Sequence, residues 1–97
     1  MTSRAEKIRS LLQAALTPER LEIFDDSSSH AGHAGAVESG GGHFYATIVS
    51  SAFEGKTPVQ RHQLVYGALG DLMRTDIHAL SIKAFSPFEF KQQENQD

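Results

Sequence analysis

The stretch from Phe53 to Tyr66 constrains the fold of this chain more than any other part of the sequence. Gly55 favours a turn, and Thr57 and Pro58 follow it. Threonine is a common N-cap, and proline at the first helical position loses no hydrogen bond, so a helix is predicted to begin at Pro58. The apolar residues that follow have helical spacing: Leu64, Val65, Ala68, Leu69, Leu72 and Met73. The chain is therefore predicted to carry a long central helix that continues to Met73, with Gly70 as a possible break.

A second helical pattern occupies the amino-terminal part of the chain. Ser3 and Glu6 have the spacing of a capping box, and Thr17-Pro18 is predicted to end the helix. Between them the apolar residues form one stripe, made of Ile8, Leu11, Leu12, Ala15 and Leu16. This pattern predicts a helix of about four turns with one buried side.

Three strands are predicted from alternating apolar residues. Arg20 to Phe24 has one apolar face, whereas His43 to Ser50 is apolar on both faces, which is typical of a central strand. Ile77 to Phe85 is the last strand. Ser86-Pro87-Phe88-Glu89 repeats the pattern of cap, proline and acid, so a short helix is predicted before a frayed polar tail at 91–97.

The predicted order is helix, strand, strand, helix, strand and short helix. Two strands joined by a loop pair antiparallel, whereas a strand–helix–strand crossover makes its strands parallel. The sequence therefore predicts an α+β fold, a KH-like sandwich with a three-stranded mixed sheet and helices on one face. Residues 1–90 are predicted to form a single domain, which agrees with a length of 97 residues.

Composition excludes several classes of function. The chain has no cysteine, so it offers no disulfide, thiolate ligand or cysteine nucleophile. It lacks an apolar run of the roughly 20 residues that a membrane-spanning helix needs, and the cytoplasm is its predicted compartment. Arg4, Lys7 and Arg9 faintly resemble a mitochondrial presequence, but Glu6 and the apolar stripe favour a folded helix. A formal net charge of −3 argues against nonspecific nucleic-acid binding.

Residues 25–42 show no apolar periodicity and are predicted to form a long mobile loop, which makes this segment a candidate site. His30 and His33 lie in it, and imidazole is a ligand for zinc, copper and iron. Their spacing alone is weak evidence. A mononuclear zinc site built from His30, His33 and His43 is one alternative.

Catalysis is not predicted. Asp25, Asp26 and Glu38 are the nearest candidates for an acid and a base, but a mobile polar loop offers no desolvation to separate their pKa values. His62, inside the central helix, is predicted to be structural. The G-x-x-G loop with which KH domains clamp nucleic acids is absent.

Five short motifs, taken together, resemble the BolA family. They are Asp26-Ser27, His43-Phe44, Phe53-x-Gly55, Arg61-His62-x-Leu64-Val65-Tyr66 and Ile77-His78-Ala79-Leu80. The resemblance covers nearly the whole region predicted to fold. It implies the same KH-like arrangement, without the nucleic-acid clamp.

The resemblance also implies a function. Proteins of this family partner monothiol glutaredoxins and share a [2Fe-2S] cluster with them in iron–sulfur trafficking and iron regulation. The glutaredoxin cysteine and glutathione supply sulfur ligands, and the BolA protein supplies a histidine at the start of its third strand, which corresponds to His78. Its loop ligand corresponds to His30 counted forward from Asp25, or to His33 counted back from His43. His30 is preferred, and the chain is expected to be a non-enzymatic adaptor, monomeric or weakly dimeric when free.

A DNA-binding transcriptional regulator is the alternative that the resemblance leaves open. The helix predicted over 57–73 would then act as a reader of the helix-turn-helix type. Its candidate contacts are Lys56, Arg61, His62 and Arg74.

Overall fold

Eight elements build the described part of the chain, which in the computed structural model comprises residues 3–26 and 42–94. The amino-terminal half contains α1 (Arg4–Leu16), β1 (Arg20–Asp25), β2 (Gly42–Val49) and a 3-10 turn (Ser51–Phe53). The carboxy-terminal half contains α2 (Pro58–Leu69), α3 (Leu72–Thr75), β3 (Ile77–Phe85) and α4 (Pro87–Glu94). Most of the predicted mobile loop lies outside the described residues.

The three strands form one mixed sheet in the order β1-β2-β3. β1 pairs antiparallel with β2, and β2 pairs parallel with β3, as the sequence predicts. The central strand buries alternate residues, Phe44, Ala46 and Ile48, on one face. On the opposite face Tyr45 is 48% exposed, Thr47 is half-buried and Val49 is buried, so the second face of β2 is covered only toward the end of the strand.

α1 and α2 cover the buried face of the sheet. Their contributions to the core are Ile8, Leu12, Leu16, Val65 and Leu69, which cluster with the buried residues of β2. The predicted α+β sandwich is therefore confirmed. α4 follows β3 directly, and the ring of Phe90 lies 5.7 Å from that of Phe85.

The central helix begins as predicted but ends earlier. Thr57 is its N-cap in a complete capping box with Gln60, and Pro58 opens the first turn. The prediction of one continuous helix to Met73 is wrong, whereas the break considered at Gly70 is confirmed: Gly70 adopts φ 54° and ψ −125° and ends α2 at Leu69. Only glycine enters this backbone region readily, so the chain turns here and starts the separate short helix α3.

Smaller differences concern the ends of elements and the width of one stripe. The apolar stripe of α1 is narrower than predicted, because Ala15 is exposed and Leu11 is 38% exposed. α1 ends where Thr17 takes a left-handed conformation, with φ 39°. Residues 91–94 of the predicted frayed tail continue α4, and residues 95–97 lie outside the described residues.

Candidate metal centre

A bulge at the start of β3 turns His78 outward. Gly42 pairs with Ile77 and His43 pairs with Ala79, so His78 is an extra residue between two consecutive pairs. Ile77 is buried, whereas His78 and Ala79 are both exposed. Strict alternation would have directed His78 to the same side as Leu80, toward the helices, and a bulge is a common device for redirecting a side chain. The imidazole predicted to be a ligand is therefore accessible from solvent.

His43, at the start of β2, lies beside His78. The two ring centres are 5.2 Å apart and the ring planes differ by 15°. The side chains meet because parallel neighbouring strands begin at the same edge of a sheet. The sequence analysis names each histidine separately but does not pair them. The predicted strand–helix–strand crossover could have indicated the pair, because it makes β2 and β3 parallel and so brings their first residues together.

Asp26 and Gly42, which flank residues 27–41, are both hydrogen-bonded close to this pair. The amide of Asp26, just after β1, donates to the carbonyl of His43 at 2.8 Å, and the amide of Gly42 donates to the carbonyl of Asp76 at 3.1 Å. His30 and His33 lie between these two anchored ends, outside the described residues. Within residues 3–26 and 42–94, no group of three or more histidine, cysteine, aspartate or glutamate side chains is placed to hold a metal ion.

Asp76 fixes the connection immediately before β3. Its carboxylate accepts a hydrogen bond from the Thr75 hydroxyl at 2.7 Å and lies 3.4 Å from the ammonium of Lys7 and 3.8 Å from the guanidinium of Arg4. The Thr75 hydrogen bond, and then these two cations, hold the pKa of Asp76 below its usual value. The amino-terminal end of α1 is thereby attached beside the histidine pair.

Arg61, a candidate DNA contact in the sequence, is engaged within the fold. Its side chain is 11% exposed and forms an ion pair with Glu89. It also donates to the carbonyls of Ala84 and Lys56, both at 3.0 Å, and its guanidinium lies 5.9 Å from the ring centre of Phe53. These contacts join α2 to β3 and α4.

The other candidate DNA contacts are separate from the histidine pair. Lys56 and Arg74 are exposed, and Arg74 pairs with Asp71 at 2.6 Å. His62 is half-buried, with its ring edge toward Tyr66 at 6.2 Å between centres. It lines a shallow pocket beside residues 82–85, toward the opposite end of β3 from the bulge.

Comparison with known proteins identifies the family. Residues 12–89 match the family described as BolA-like protein. The chain belongs to the BolA-like family. The resemblance stated from the motifs is thereby confirmed.

Three relatives illustrate the range of BolA-like proteins that this chain is similar to. It is 46% identical to SufE-like protein 1, chloroplastic/mitochondrial, of Arabidopsis thaliana, over 90% of this chain and 24% of the relative. It is 42% identical to BolA-like protein 1 of Mus musculus, over 88% of this chain and 59% of the relative. It is 35% identical to the DNA-binding transcriptional regulator BolA of Escherichia coli, over 89% of this chain and 78% of the relative.

The similarity to BolA-like proteins extends to the fold. The solution structure of mouse BolA1 matches with a TM-score of 0.78 and 39% identity, covering 100% of this chain and 76% of that chain. This chain spans less than two thirds of the length of the plant and mouse relatives. Among the described helices, none is long and apolar enough to cross a membrane.

Proposed function

We propose that this BolA-like protein is a non-enzymatic adaptor that binds a monothiol glutaredoxin and contributes ligands to a [2Fe-2S] cluster shared with it. Membership of the BolA-like family supports a role of this kind. The observation that carries the proposal is the bulge that exposes His78 beside the two anchored ends of the predicted loop. A histidine placed this way is open to a partner protein.

The donor groups suit an iron cluster. The chain has no cysteine, so its ligands must be nitrogen or oxygen atoms, and imidazole binds iron well. His78 provides one such nitrogen. The second comes from the segment between β1 and β2, from His30 in preference to His33, while the glutaredoxin cysteine and glutathione supply sulfur. Imidazole in place of thiolate on one iron raises the potential of a cluster of this kind.

The test mixes the protein with a cluster-loaded monothiol glutaredoxin and follows visible absorption and circular dichroism. We expect a new spectrum and a heterodimer on gel filtration with the wild-type protein. His78→Ala should abolish the new spectrum, because it removes the exposed ligand without opening the core. Lys83→Ala, at another exposed position of β3, is the matched control and should behave as the wild type.

Separate variants identify the second ligand. His30→Ala should weaken the new spectrum more than His33→Ala does, and the reverse order would assign the ligand to His33. An unchanged spectrum with wild-type protein, together with no heterodimer, would contradict the proposed function as a whole.

DNA binding is the second candidate, motivated by the name of the Escherichia coli relative. Lys56 and Arg74 are exposed cations, whereas Arg61 is held by Glu89. The formal net charge of −3 opposes phosphate binding. A salt titration of duplex DNA binding tests this candidate. If phosphate contacts are present, the affinity should fall steeply with added salt and should be lower in the double variant Lys56→Ala/Arg74→Ala. Absence of binding near ~50 mM salt would remove this candidate.

The compartment and the free oligomeric state remain parts of the proposal. We expect a cytoplasmic protein that is a monomer or a weak homodimer when free. One relative carries a chloroplastic and mitochondrial name, so cell fractionation is the measurement that checks the compartment. Analytical ultracentrifugation checks the free state.

A further inference from the structure

We propose that His43 and His78 together bind one divalent transition-metal ion in the free protein. This site shares His78 with the proposed function but requires no glutaredoxin and neither of the loop histidines. It is built entirely from residues on two hydrogen-bonded strands. The inference therefore stands or falls by itself.

The distance between the two rings fits a shared ion. Metal–nitrogen bonds of about 2.0–2.1 Å place the centres of two imidazole rings on one tetrahedral ion roughly 5 Å apart. The observed separation between the centres of His43 and His78 is 5.2 Å, and the rings are stacked with their planes 15° apart. Because a metal ion lies close to the plane of each imidazole that binds it, binding requires a ring to turn about its Cβ–Cγ bond until both rings direct a nitrogen at the ion. An offset packing contact between aromatic rings covers the same range of distances, about 4.5–7 Å, so the experiment must separate ligation from packing.

The backbone holds both histidines in place before any ion binds. The β2 and β3 strands are paired directly, and the bulge between the two pairs fixes where His78 emerges. On the β1 side, the carbonyl of His43 accepts the Asp26 amide at 2.8 Å. Because their backbones are already fixed on paired strands, the two histidines lose little conformational entropy when they bind an ion. The pair should therefore bind an ion more tightly than two independent imidazoles would.

The ion would remain open to further ligands. His78 is exposed and His43 is half-buried, so solvent or a small molecule can occupy the remaining positions. Imidazole pairs bind Cu²⁺ most strongly among the divalent first-row ions. Copper is therefore the most sensitive probe of the site, and zinc is the natural comparison.

The experiment titrates the full chain with Cu²⁺ by calorimetry at slightly alkaline pH and counts the bound nitrogens by electron paramagnetic resonance. His43→Phe keeps a flat ring but removes the nitrogens, and His78→Phe does the same on β3. We expect each variant to lower copper affinity at least tenfold and to remove one nitrogen from the spectrum. The double variant His30→Ala/His33→Ala should keep the two-nitrogen site, and His62→Gln should match the wild type.

Two results would overturn this inference. Unchanged copper affinity in His43→Phe would mean that the rings only pack, and loss of the site in His30→Ala/His33→Ala would assign it to the loop. Thermal unfolding monitors the fold of each variant, and His43→Leu replaces His43→Phe if the larger ring lowers the unfolding midpoint. If the cluster experiment with glutaredoxin fails while copper still binds, only the proposed function is removed. If the cluster forms but His43 and His78 do not bind copper, only the copper site is removed.

Discussion

Arg61 on α2 holds Glu89 on α4 through two hydrogen bonds, with nitrogen–oxygen distances of 2.5 and 3.2 Å. The same carboxylate accepts the amide of Ser86 at 2.9 Å, which closes the first turn of α4. The Arg61 hydrogen bond, and after it the Ser86 amide, lower the pKa of Glu89 to about 2. The arginine of the family motif therefore fastens the last helix to the rest of the domain.

Replacing Glu89 by glutamine should destabilise the protein moderately at neutral pH. The variant keeps the shape of the side chain and removes its charge. The Glu89 side chain is 46% exposed, so solvent screens the pair and we expect a loss of about 1 kcal/mol in the free energy of unfolding. Urea unfolding measures it, with Glu94→Gln, on the exposed end of α4, as the control.

The difference between wild type and Glu89→Gln should depend on pH. The pKa of Glu89 is lower in the folded protein, at about 2, than its ordinary value of 4.5. The stabilisation is therefore complete above pH 4.5 and is lost as the pH falls toward about 2. Urea unfolding at a series of pH values should show the two proteins converging in acid, and a constant difference would contradict the prediction.

Ser50 should be essential to the junction between α1 and the sheet. It is fully buried, its hydroxyl donates to the carbonyl of Leu16 at 2.7 Å, and the amide of Ala52 donates to it at 3.1 Å. Ser50→Ala leaves both groups unsatisfied in the core and should reduce the free energy of unfolding by about 1–3 kcal/mol. Ser81→Ala, at an exposed position of β3, should change it by less than about 0.5 kcal/mol.

Two glycines at the end of α2 should respond oppositely to alanine. Gly70 has φ 54°, and no atom would obstruct a Cβ there, so Gly70→Ala is opposed by backbone conformation alone and should destabilise by about 1–3 kcal/mol. Gly67 lies within α2, again with open space around it, so Gly67→Ala should stabilise by roughly 0.5–1 kcal/mol. Thermal unfolding of the two variants compares them directly. If both variants changed the unfolding midpoint equally, the positive φ at Gly70 would not be needed for the stability of the fold.

The carboxyl of Asp76 should report on the contacts beside the histidine pair. The Thr75 hydroxyl is the largest cause of its lowered pKa, ahead of Lys7 and Arg4. Thr75→Val should therefore raise the pKa of Asp76 more than Lys7→Met does. A pH titration of the Asp76 carboxyl carbon by nuclear magnetic resonance measures both shifts, and a larger shift in Lys7→Met would reverse the assignment.

Local patterns in the sequence predict most of the fold. The Thr57-Pro58 start of α2 and the cap at Ser86 depend only on neighbouring residues, and both occur where expected. The sequence named Gly70 as a candidate break but did not decide the far end of α2, because apolar spacing continues through Gly70 and only the conformation of that glycine stops the helix. The buried hydroxyl of Ser50 was also missed, because its partner carbonyl on Leu16 is distant in sequence.

The sequence by itself determined the order of helices and strands and the mixed sheet, because these follow from periodicity and caps. The choice of His78 as a ligand follows from the family motifs and stays a prediction. Only the tertiary structure decided that His78 faces solvent and lies beside His43. Strand register and the bulge between Gly42 and His43 set that arrangement, and both arise from pairing between segments far apart in the chain. For the same reason, Arg61 looked like a free cation in the sequence and is an internal partner of Glu89 in the folded protein.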